Sequence, residues 1–400
     1  MVADRFNIRC FCRLAYDTRY GVSWLLVSHF FAAIIGDDVG SCSARGTVPG
    51  GLLWSGSGDR NLRRSETSVG LVLAAVILAA GVGWSQTEYL VPPADTDPEI
   101  DSWLSEHVVQ IDRAVIPRDV LLVHLPGSYD APTSSKLLLQ HTARKGVPAI
   151  GLRYPNSVIV TAPCMFSSDP ACFEKARLEI LDGIDRTDIV DVSEANSITN
   201  RLVKLLEYLD REHPNDEWER FLKKDGSVLW SKIIVSGHSQ GAGHAAMVAH
   251  AHRVYRVGMF AGPPDYSSYF DAPAEWLSQP GATRIDHHYG FGHIRDPLVS
   301  EENLVEIWEA LGLGRFGQPV SVDEFGPPFS GSHMLFTDAE PASLGLIANH
   351  NSVVLDRQTP EAADGSPRFA EVWEFMCFPD GMPYYRDLQI RRPGRRVSPQ

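Results

Sequence analysis

The chain has 400 residues, of which 44% are hydrophobic, and a formal net charge of -14 at pH 7. This composition excludes wholesale disorder and is sufficient for one large hydrophobic core. The acidic balance argues against a nucleic-acid partner, because a phosphate backbone is bound through clustered lysine and arginine side chains.

The first 85 residues differ in pattern from the rest of the chain. Residues 1–68 show no sustained periodicity, and we expect a leader whose start is wrongly assigned. Val69–Val82 is an almost uninterrupted apolar run with arginines before it and small residues after it, which is the anatomy of a secretory signal. At about 14 residues it is short for a membrane span, which needs roughly 20. Residues 69–85 therefore predict a secreted or periplasmic protein with no stable membrane span after cleavage, and a membrane anchor is the alternative.

Three cysteines remain beyond that segment. Cys164 and Cys172 are close enough in sequence to close a short loop in an oxidising compartment, and we predict a disulfide between them. Cys377 stands in an apolar stretch and is expected to be a buried small hydrophobe. No Cys-x-x-Cys pair or ligand spacing indicates a metal site, and no cofactor is predicted.

Residues 86–400 alternate strand and helix patterns and are predicted to form the catalytic domain. After an expected extended linker at Pro92–Pro98, the run Val120–Leu125 is apolar on both faces, which suits a central strand covered by helices on both sides. A long irregular region from Tyr154 to about Asp191 is expected to lie on the surface over the ends of the strands. The predicted strands are 108–116, 119–125, 148–152, 230–235, 254–259, 283–289 and 333–336, and the predicted helices are 131–145, 173–181, 198–209, 218–222, 242–252, 302–311 and 369–378.

The segment Gly237–Gly241, with the sequence GHSQG, lies between an apolar run and a helix of small residues. A catalytic serine at the centre of such a segment stands on a sharp strand-to-helix turn, the nucleophile elbow, and the flanking glycines remove the Cβ atoms that would collide there. Ser239 is therefore the candidate nucleophile. The amide of Gln240 at the start of the helix can donate to a developing oxyanion, and the helix N-terminus adds partial positive charge.

The chain resembles the α/β-hydrolase family, and more narrowly its secreted bacterial members. The resemblance rests on Gly237–Gly241, on the segment Leu122–Ser128, and on the strand and helix order from about Val108 to Phe378. It implies an α/β-hydrolase fold, a mostly parallel central sheet with helices on both faces.

The resemblance also implies that the nucleophile, the acid and the histidine follow in that order along the chain. Asp296 ends a Gly-bearing loop that follows a predicted strand, which is where the acid of this family usually lies. Asp265, after the strand that follows the elbow helix, is the second candidate, and Asp323 is the third.

Two histidines follow the candidate acids. His350 lies in the long loop between the last strand and the terminal helix, where the family places its general base. His333 opens the last strand and is therefore expected at the wrong end of that strand. We predict His350 as the base and keep His333 as the alternative.

A second oxyanion donor is expected in the turn that follows the predicted strand at 119–125. Pro126 has no N–H group, so the candidate donors are Leu125, Gly127 and Ser128. These residues together predict a serine hydrolase that cleaves a carboxylic ester of a small acyl substrate. An acyltransferase or peptidase with the same residues, or a non-catalytic binding protein of this fold, is the alternative. No oligomeric state is predicted.

Overall fold

The computed structural model describes residues 86–379, 381–382 and 384–385, all of which belong to the unit Leu73–Gln400. The predicted leader at 1–68 and the signal-like segment at 69–85 lie outside the described residues. None of the helices in the described part has the length and apolar character that crossing a bilayer would require.

A mostly parallel sheet of nine strands forms the centre of the described region. Its strands are β1 Gln86–Val91, β2 His107–Asp112, β3 Leu121–Leu125, β4 Ala149–Gly151, β5 Ile233–His238, β6 Arg256–Phe260, β9 His288–His293, β10 Val320–Ser321 and β11 Met334–Thr337, and a separate hairpin contains β7 Tyr266–Ser267 and β8 Ala272–Pro273. The spatial order is β1-β2-β4-β3-β5-β6-β9-β11-β10. The pairs β1/β2 and β2/β4 are antiparallel, and every other pair in this sheet is parallel.

The segments between strands contain the helices. They are α1 Pro93–Thr96, α2 Lys136–Arg144, α3 Thr161–Cys164, α4 Cys172–Asp182, α5 Ile198–Glu212, α6 Gln240–Ala251, α7 Glu301–Leu311, α8 Ala348–Asn351 and α9 Ala370–Cys377. Short 3₁₀ turns occupy Pro132–Ser135, Pro214–Asp216, Trp218–Phe221, Trp230–Lys232, Glu275–Ser278, Ile285–His287, Leu313–Phe316 and Phe329–Gly331. Most predicted elements are present, with ends displaced by a few residues.

The central strand β3 shows why helices cover both faces of the sheet. Leu121, Val123 and Leu125 point into the hydrophobic core beneath α4, α5, α6 and α7. Leu122 points the other way, into the core beneath α2 and α9. Because side chains alternate along a strand, a strand with apolar residues on both faces requires an apolar layer on each side. The predicted α/β-hydrolase fold is confirmed by this layering and by the strand order.

The strand predicted at 283–289 begins later and ends later, at His288–His293. In the sequence its glycines indicated a loop, but in the structure they allow a helix to pack closely against the strand. A Cβ atom on Gly290 would lie 2.3 Å from the Trp308 ring, and one on Gly292 would lie 2.8 Å from the Leu304 side chain. The glycines therefore let α7 approach the strand closely.

The prediction of an extended linker at Pro92–Pro98 is wrong in part. It contains the four-residue helix α1, whose Pro93 stands in the first turn, where the missing N–H group costs nothing. The unpredicted edge strand β1 precedes it and pairs along its whole length with β2. An edge strand has neighbours on one side only, so its apolar pattern is weak and gave no strand signal.

The irregular region after β4 is joined to the rest of the domain by covalent and ionic contacts. The predicted disulfide between Cys164 and Cys172 is present and joins α3 to α4. On α4, the fully buried Arg177 forms an ion pair with Asp265, which also accepts a bond from Trp276 Nε1 at 3.0 Å. Outside this region Cys377 is buried and free, as predicted.

Candidate active site

The turn between β5 and α6 holds Ser239 in an unusual backbone conformation. Its φ is 54° and its ψ is -119°, in a region that side chains with a Cβ atom rarely adopt. A Cβ atom on Gly237 would lie 2.1 Å from the Gly241 carbonyl oxygen, and one on Gly241 would lie 2.0 Å from the Leu125 carbonyl oxygen. The two glycines thus permit a sharp turn that presents the serine side chain at the sheet edge.

Gln240 begins α6 and anchors the surrounding segments. Its side-chain Oε1 accepts a bond from the Val160 amide at 2.9 Å, and its carbonyl accepts one from Arg177 at 3.1 Å. Within residues 86–379, its own N–H group donates to no protein group. This free amide at a helix N-terminus can donate to an anion beside Ser239.

Asp296 follows β9 and faces His350. Its Oδ2 lies 2.6 Å from His350 Nδ1, and both side chains are buried. Its other oxygen, Oδ1, accepts bonds from the amides of Leu298 at 2.8 Å and Val299 at 3.2 Å. The loop therefore fixes the carboxylate in one orientation and leaves Oδ2 for the imidazole.

His350 lies on the short helix α8, which the acid loop holds in place. Asn349 donates from Nδ2 to the Arg295 carbonyl at 2.9 Å, directly beside Asp296. Because Nδ1–H donates to a carboxylate, the neutral His350 ring carries its lone pair on Nε2. This Nε2 is buried and has no hydrogen-bond partner in the described part of the chain. It is available to accept a proton.

The alternative acids are engaged in other contacts. Asp265 is the buried partner of Arg177, so its charge is already balanced within the core. Asp323 accepts bonds from Thr337 Oγ1 and the Asp338 amide, each at 2.7 Å. No bond between either carboxylate and a histidine occurs in the described residues.

The alternative base His333 precedes β11 at its amino end. Its ring is stacked between Tyr289 and Phe316, at centroid distances of 3.8 and 3.9 Å. Its Nδ1 bonds to the His288 carbonyl at 2.8 Å. Burial lowers the pKa of His333 to about 4. These contacts are those of a packing residue.

The turn after β3 lies directly against the elbow and presents two amides. Tyr154 donates from its hydroxyl to the Pro126 carbonyl at 2.8 Å, and Asn156 donates from Nδ2 to the Gly127 carbonyl at 2.5 Å. In a trans peptide the N–H group points opposite to the C=O group. The amides of Gly127 and Ser128 therefore point away from Tyr154 and Asn156.

These contacts distinguish between the three candidate second donors. Leu125 is the last residue of β3 and pairs with Gly237 in the sheet. The Gly127 and Ser128 amides donate to no other group of the described chain. They are the better candidates for an oxyanion donor.

Several contributors to this site escaped the sequence analysis. Tyr154 and Asn156 orient the turn after β3, and their only sequence signal was their position just after a predicted strand. His238 contacts the backbone of His350, and its signal was its place beside the candidate nucleophile. Arg177 lies 63 positions before the elbow, and no local pattern indicated that it would bind there.

Among the described residues, no cluster of three or more histidine, cysteine, aspartate or glutamate side chains could hold a metal ion.

Neither a protein-family model nor a curated protein matches the chain. Among solved structures, TT1662 from Thermus thermophilus is similar at 15% identity and a TM-score of 0.31, over 60% of this chain and 85% of that chain. A protein provisionally designated a dienelactone hydrolase, from Klebsiella pneumoniae, is similar at 9% identity and a TM-score of 0.31, over 64% of this chain and 86% of its own. The fold assignment rests on the strand order and not on these distant similarities.

Proposed function

We propose that this protein is a serine hydrolase that cleaves carboxylic esters of small molecules through Ser239, His350 and Asp296. The observation that supports this proposal best is the buried 2.6 Å bond between His350 Nδ1 and Asp296 Oδ2, which leaves His350 Nε2 without a partner in the described residues. A buried imidazole nitrogen with a free lone pair is suited to remove a proton from a serine hydroxyl.

In the first half of the reaction, His350 Nε2 takes the Ser239 proton as Oγ attacks the ester carbonyl carbon. The carbonyl π electrons move to oxygen and form a tetrahedral oxyanion. The Gln240 amide, with an amide of Gly127 or Ser128, donates to that oxyanion, and one such donor typically stabilises a transition state by about 3 kcal/mol. The imidazolium then gives its proton to the departing alkoxide, which leaves as an alcohol, and Ser239 is acylated.

In the second half, water attacks the acyl-enzyme with the same assistance. His350 Nε2 removes a proton from the water, the oxyanion forms again, and its collapse breaks the bond to Ser239 Oγ. The proton returns to Oγ and a carboxylic acid is released. Asp296 keeps its negative charge throughout and stabilises the imidazolium.

A fluorophosphonate probe and a short p-nitrophenyl ester together test this proposal. The native protein should label once, at Ser239, and turn over the ester, whereas Ser239→Ala should do neither. His350→Gln should lose turnover by several orders of magnitude, and the matched control His333→Gln should keep it. An unlabelled but folded native protein would favour a binding role. Labelling with turnover of peptide amides in preference to esters would favour a peptidase, and transfer to an added alcohol in preference to water would favour an acyltransferase.

We also propose that residues 86–400 form the catalytic domain and that it works in a secreted or periplasmic, oxidising environment. The disulfide between Cys164 and Cys172 supports that environment, because such bonds are rare where thiols are kept reduced. Mass spectrometry of the native N-terminus tests the processing that such an environment requires. A mature chain that begins near residue 86 is expected, and one that retains residues 1–85 would contradict secretion through this segment.

A further inference from the structure

His238 connects the elbow strand to the loop that holds the base. It is the last residue of β5, and its side chain is only 2% exposed. Its Nε2 lies 3.1 Å from the His350 carbonyl oxygen, and the two rings lie 4.8 Å apart between centroids. Because a carbonyl can only accept, Nε2 of His238 carries the proton and donates.

The His350 carbonyl needs this donor. Helix α8 has only four residues, Ala348–Asn351, so each of its carbonyls needs a donor from outside the helix. In the described chain, the Ser352 amide bonds to Ala348 and the Leu355 amide bonds to Asn351, but no backbone amide bonds to the His350 carbonyl. His238 therefore holds the backbone of the residue whose ring faces Asp296.

The opposite nitrogen of His238 faces a carboxylate. Its Nδ1 is buried without a hydrogen-bond partner in the described residues, and Asp130 Oδ2 lies 3.9 Å away. Gly127 leaves the space between them, since a Cβ atom there would lie 2.9 Å from Nδ1 and 3.3 Å from Asp130 Oδ2. Arg153 and Asn156 hold the Asp130 backbone by bonds to its carbonyl at 2.7 and 2.9 Å.

The charges around this pair favour a neutral His238 beside an ionisable Asp130. Burial keeps the pKa of His238 well below its usual value, and the neighbouring His350 and His124 rings lower it further. Burial raises the pKa of the Asp130 carboxyl to about 6, against the opposing effect of His350 and Arg153. At neutral pH the carboxylate is ionised and places negative charge near the His350 ring. Below about pH 6 it becomes protonated and loses that negative charge.

Asp130 affects one further group, the Tyr154 hydroxyl, which contacts the same turn. Its negative charge contributes to the raised pKa of the Tyr154 hydroxyl, although burial is the largest cause of that shift and Arg177 and Arg153 oppose it. Tyr154 therefore stays a neutral donor to the Pro126 carbonyl over the whole working range. Asp130 is therefore the carboxyl of this cluster whose raised pKa bears on the working range.

We propose that His238 is a positioning residue for His350, holding its backbone against the nucleophile elbow, and that the nearby Asp130 carboxylate supplies negative charge to this cluster. This inference rests on the proposed hydrolase function. His238 would keep His350 Nε2 in reach of Ser239 Oγ, and the Asp130 carboxylate would stabilise the imidazolium that forms on His350 during acylation.

Two amide substitutions of His238 form a matched pair. Glutamine can place an N–H group where Nε2 stands, whereas asparagine is one methylene shorter and cannot. His238→Asn should lower kcat of ester turnover about tenfold to a hundredfold with little change in KM, because a displaced base costs that much. His238→Gln should recover most of the loss. Equal activities of two variants with native-like thermal unfolding would overturn the positioning role.

The pH profile of Asp130→Asn tests the second half of the proposal on a side chain that is one-third exposed. For the native protein, a plot of log kcat/KM against pH should fall toward low pH with a slope that approaches two, which indicates two protonations. In Asp130→Asn the fall should involve one protonation, and kcat/KM at pH 8 should be about threefold to tenfold lower. A variant profile that superimposes on the native one would refute the role of Asp130. Failure of the native protein to react with fluorophosphonate would instead refute the hydrolase function itself.

Discussion

Asp296→Asn separates the electrostatic role of this side chain from its shape. In the native protein Oδ1 is fixed by the Leu298 and Val299 amides, which can bond only to an oxygen. The asparagine oxygen should therefore keep that position, and its NH₂ group should face His350 Nδ1. His350 must then accept at Nδ1 and carry its proton on Nε2, which is the wrong tautomer for removing a proton from Ser239.

The expected loss follows from this change of tautomer. In the trypsin-like enzymes that serve as the reference for such sites, the same aspartate-to-asparagine change lowers kcat about 10⁴-fold, equivalent to about 5 kcal/mol at 1.36 kcal/mol per factor of ten. KM should change little, because the Asp296 side chain is fully buried against the imidazole and is not expected to contact substrate. Folding stability should fall by no more than about 3 kcal/mol, the worth of a hydrogen bond to a charged group.

The assay is turnover of a p-nitrophenyl ester, with thermal unfolding as the control for folding. Asp323→Asn is the matched variant, because this carboxylate also bonds to a backbone amide after a neighbouring strand but faces no histidine. Its turnover should stay within about threefold of native. Asp296→Asn with turnover within tenfold of native would refute the assignment, most clearly if Asp265→Asn abolished it.

Three further predictions concern stability, each measured by urea unfolding. Arg177→Met should lower the unfolding free energy by about 3–5 kcal/mol, because it leaves the buried Asp265 charge unpaired, and an effect below 1 kcal/mol would contradict that pairing. Replacing Cys164 and Cys172 by serine should lower it by about 2–3 kcal/mol, whereas an unchanged value would show that the disulfide does not form. Burial lowers the pKa of His124 to about 3, so the unfolded chain binds its proton near pH 6.5 and the folded chain only near pH 3. The unfolding free energy should therefore fall as pH falls through that window. His124→Gln should remove about 2–3 kcal/mol of the loss between pH 7 and 4.5. Parallel curves of unfolding free energy against pH for the native protein and the variant would contradict this prediction.

Local sequence patterns were sufficient to predict a feature where the residues that form it are close together in the sequence. The elbow at Gly237–Gly241 was predictable because its glycine and serine spacing falls within five residues, although the carbonyl that Gly241 must clear belongs to Leu125 in β3. Helix α5 was predictable because its apolar residues recur on one face and Ser197 caps its start, accepting from the Asn200 amide at 3.1 Å. The disulfide between Cys164 and Cys172 spans only eight positions.

Packing between distant segments decided the rest. The bounds of the strand at His288–His293 could not be predicted because its glycines are required by close packing against Trp308 and Leu304, which follow in α7. The edge strand β1 was missed because it is stabilised mainly by pairing with β2. In each case the partner that explains the residue lies outside any local window.

The candidate site divides in the same way. The residue types and their order along the chain were enough to nominate Ser239, Asp296 and His350, because the chemistry requires them and few others were available. Only the tertiary structure brought Asp296 to His350 across 54 positions, engaged Asp265 with Arg177, and set His238 behind the base. The physical reason is that a short-range pattern specifies which groups a chain can offer, whereas hydrogen bonds between distant loops specify which of those groups meet.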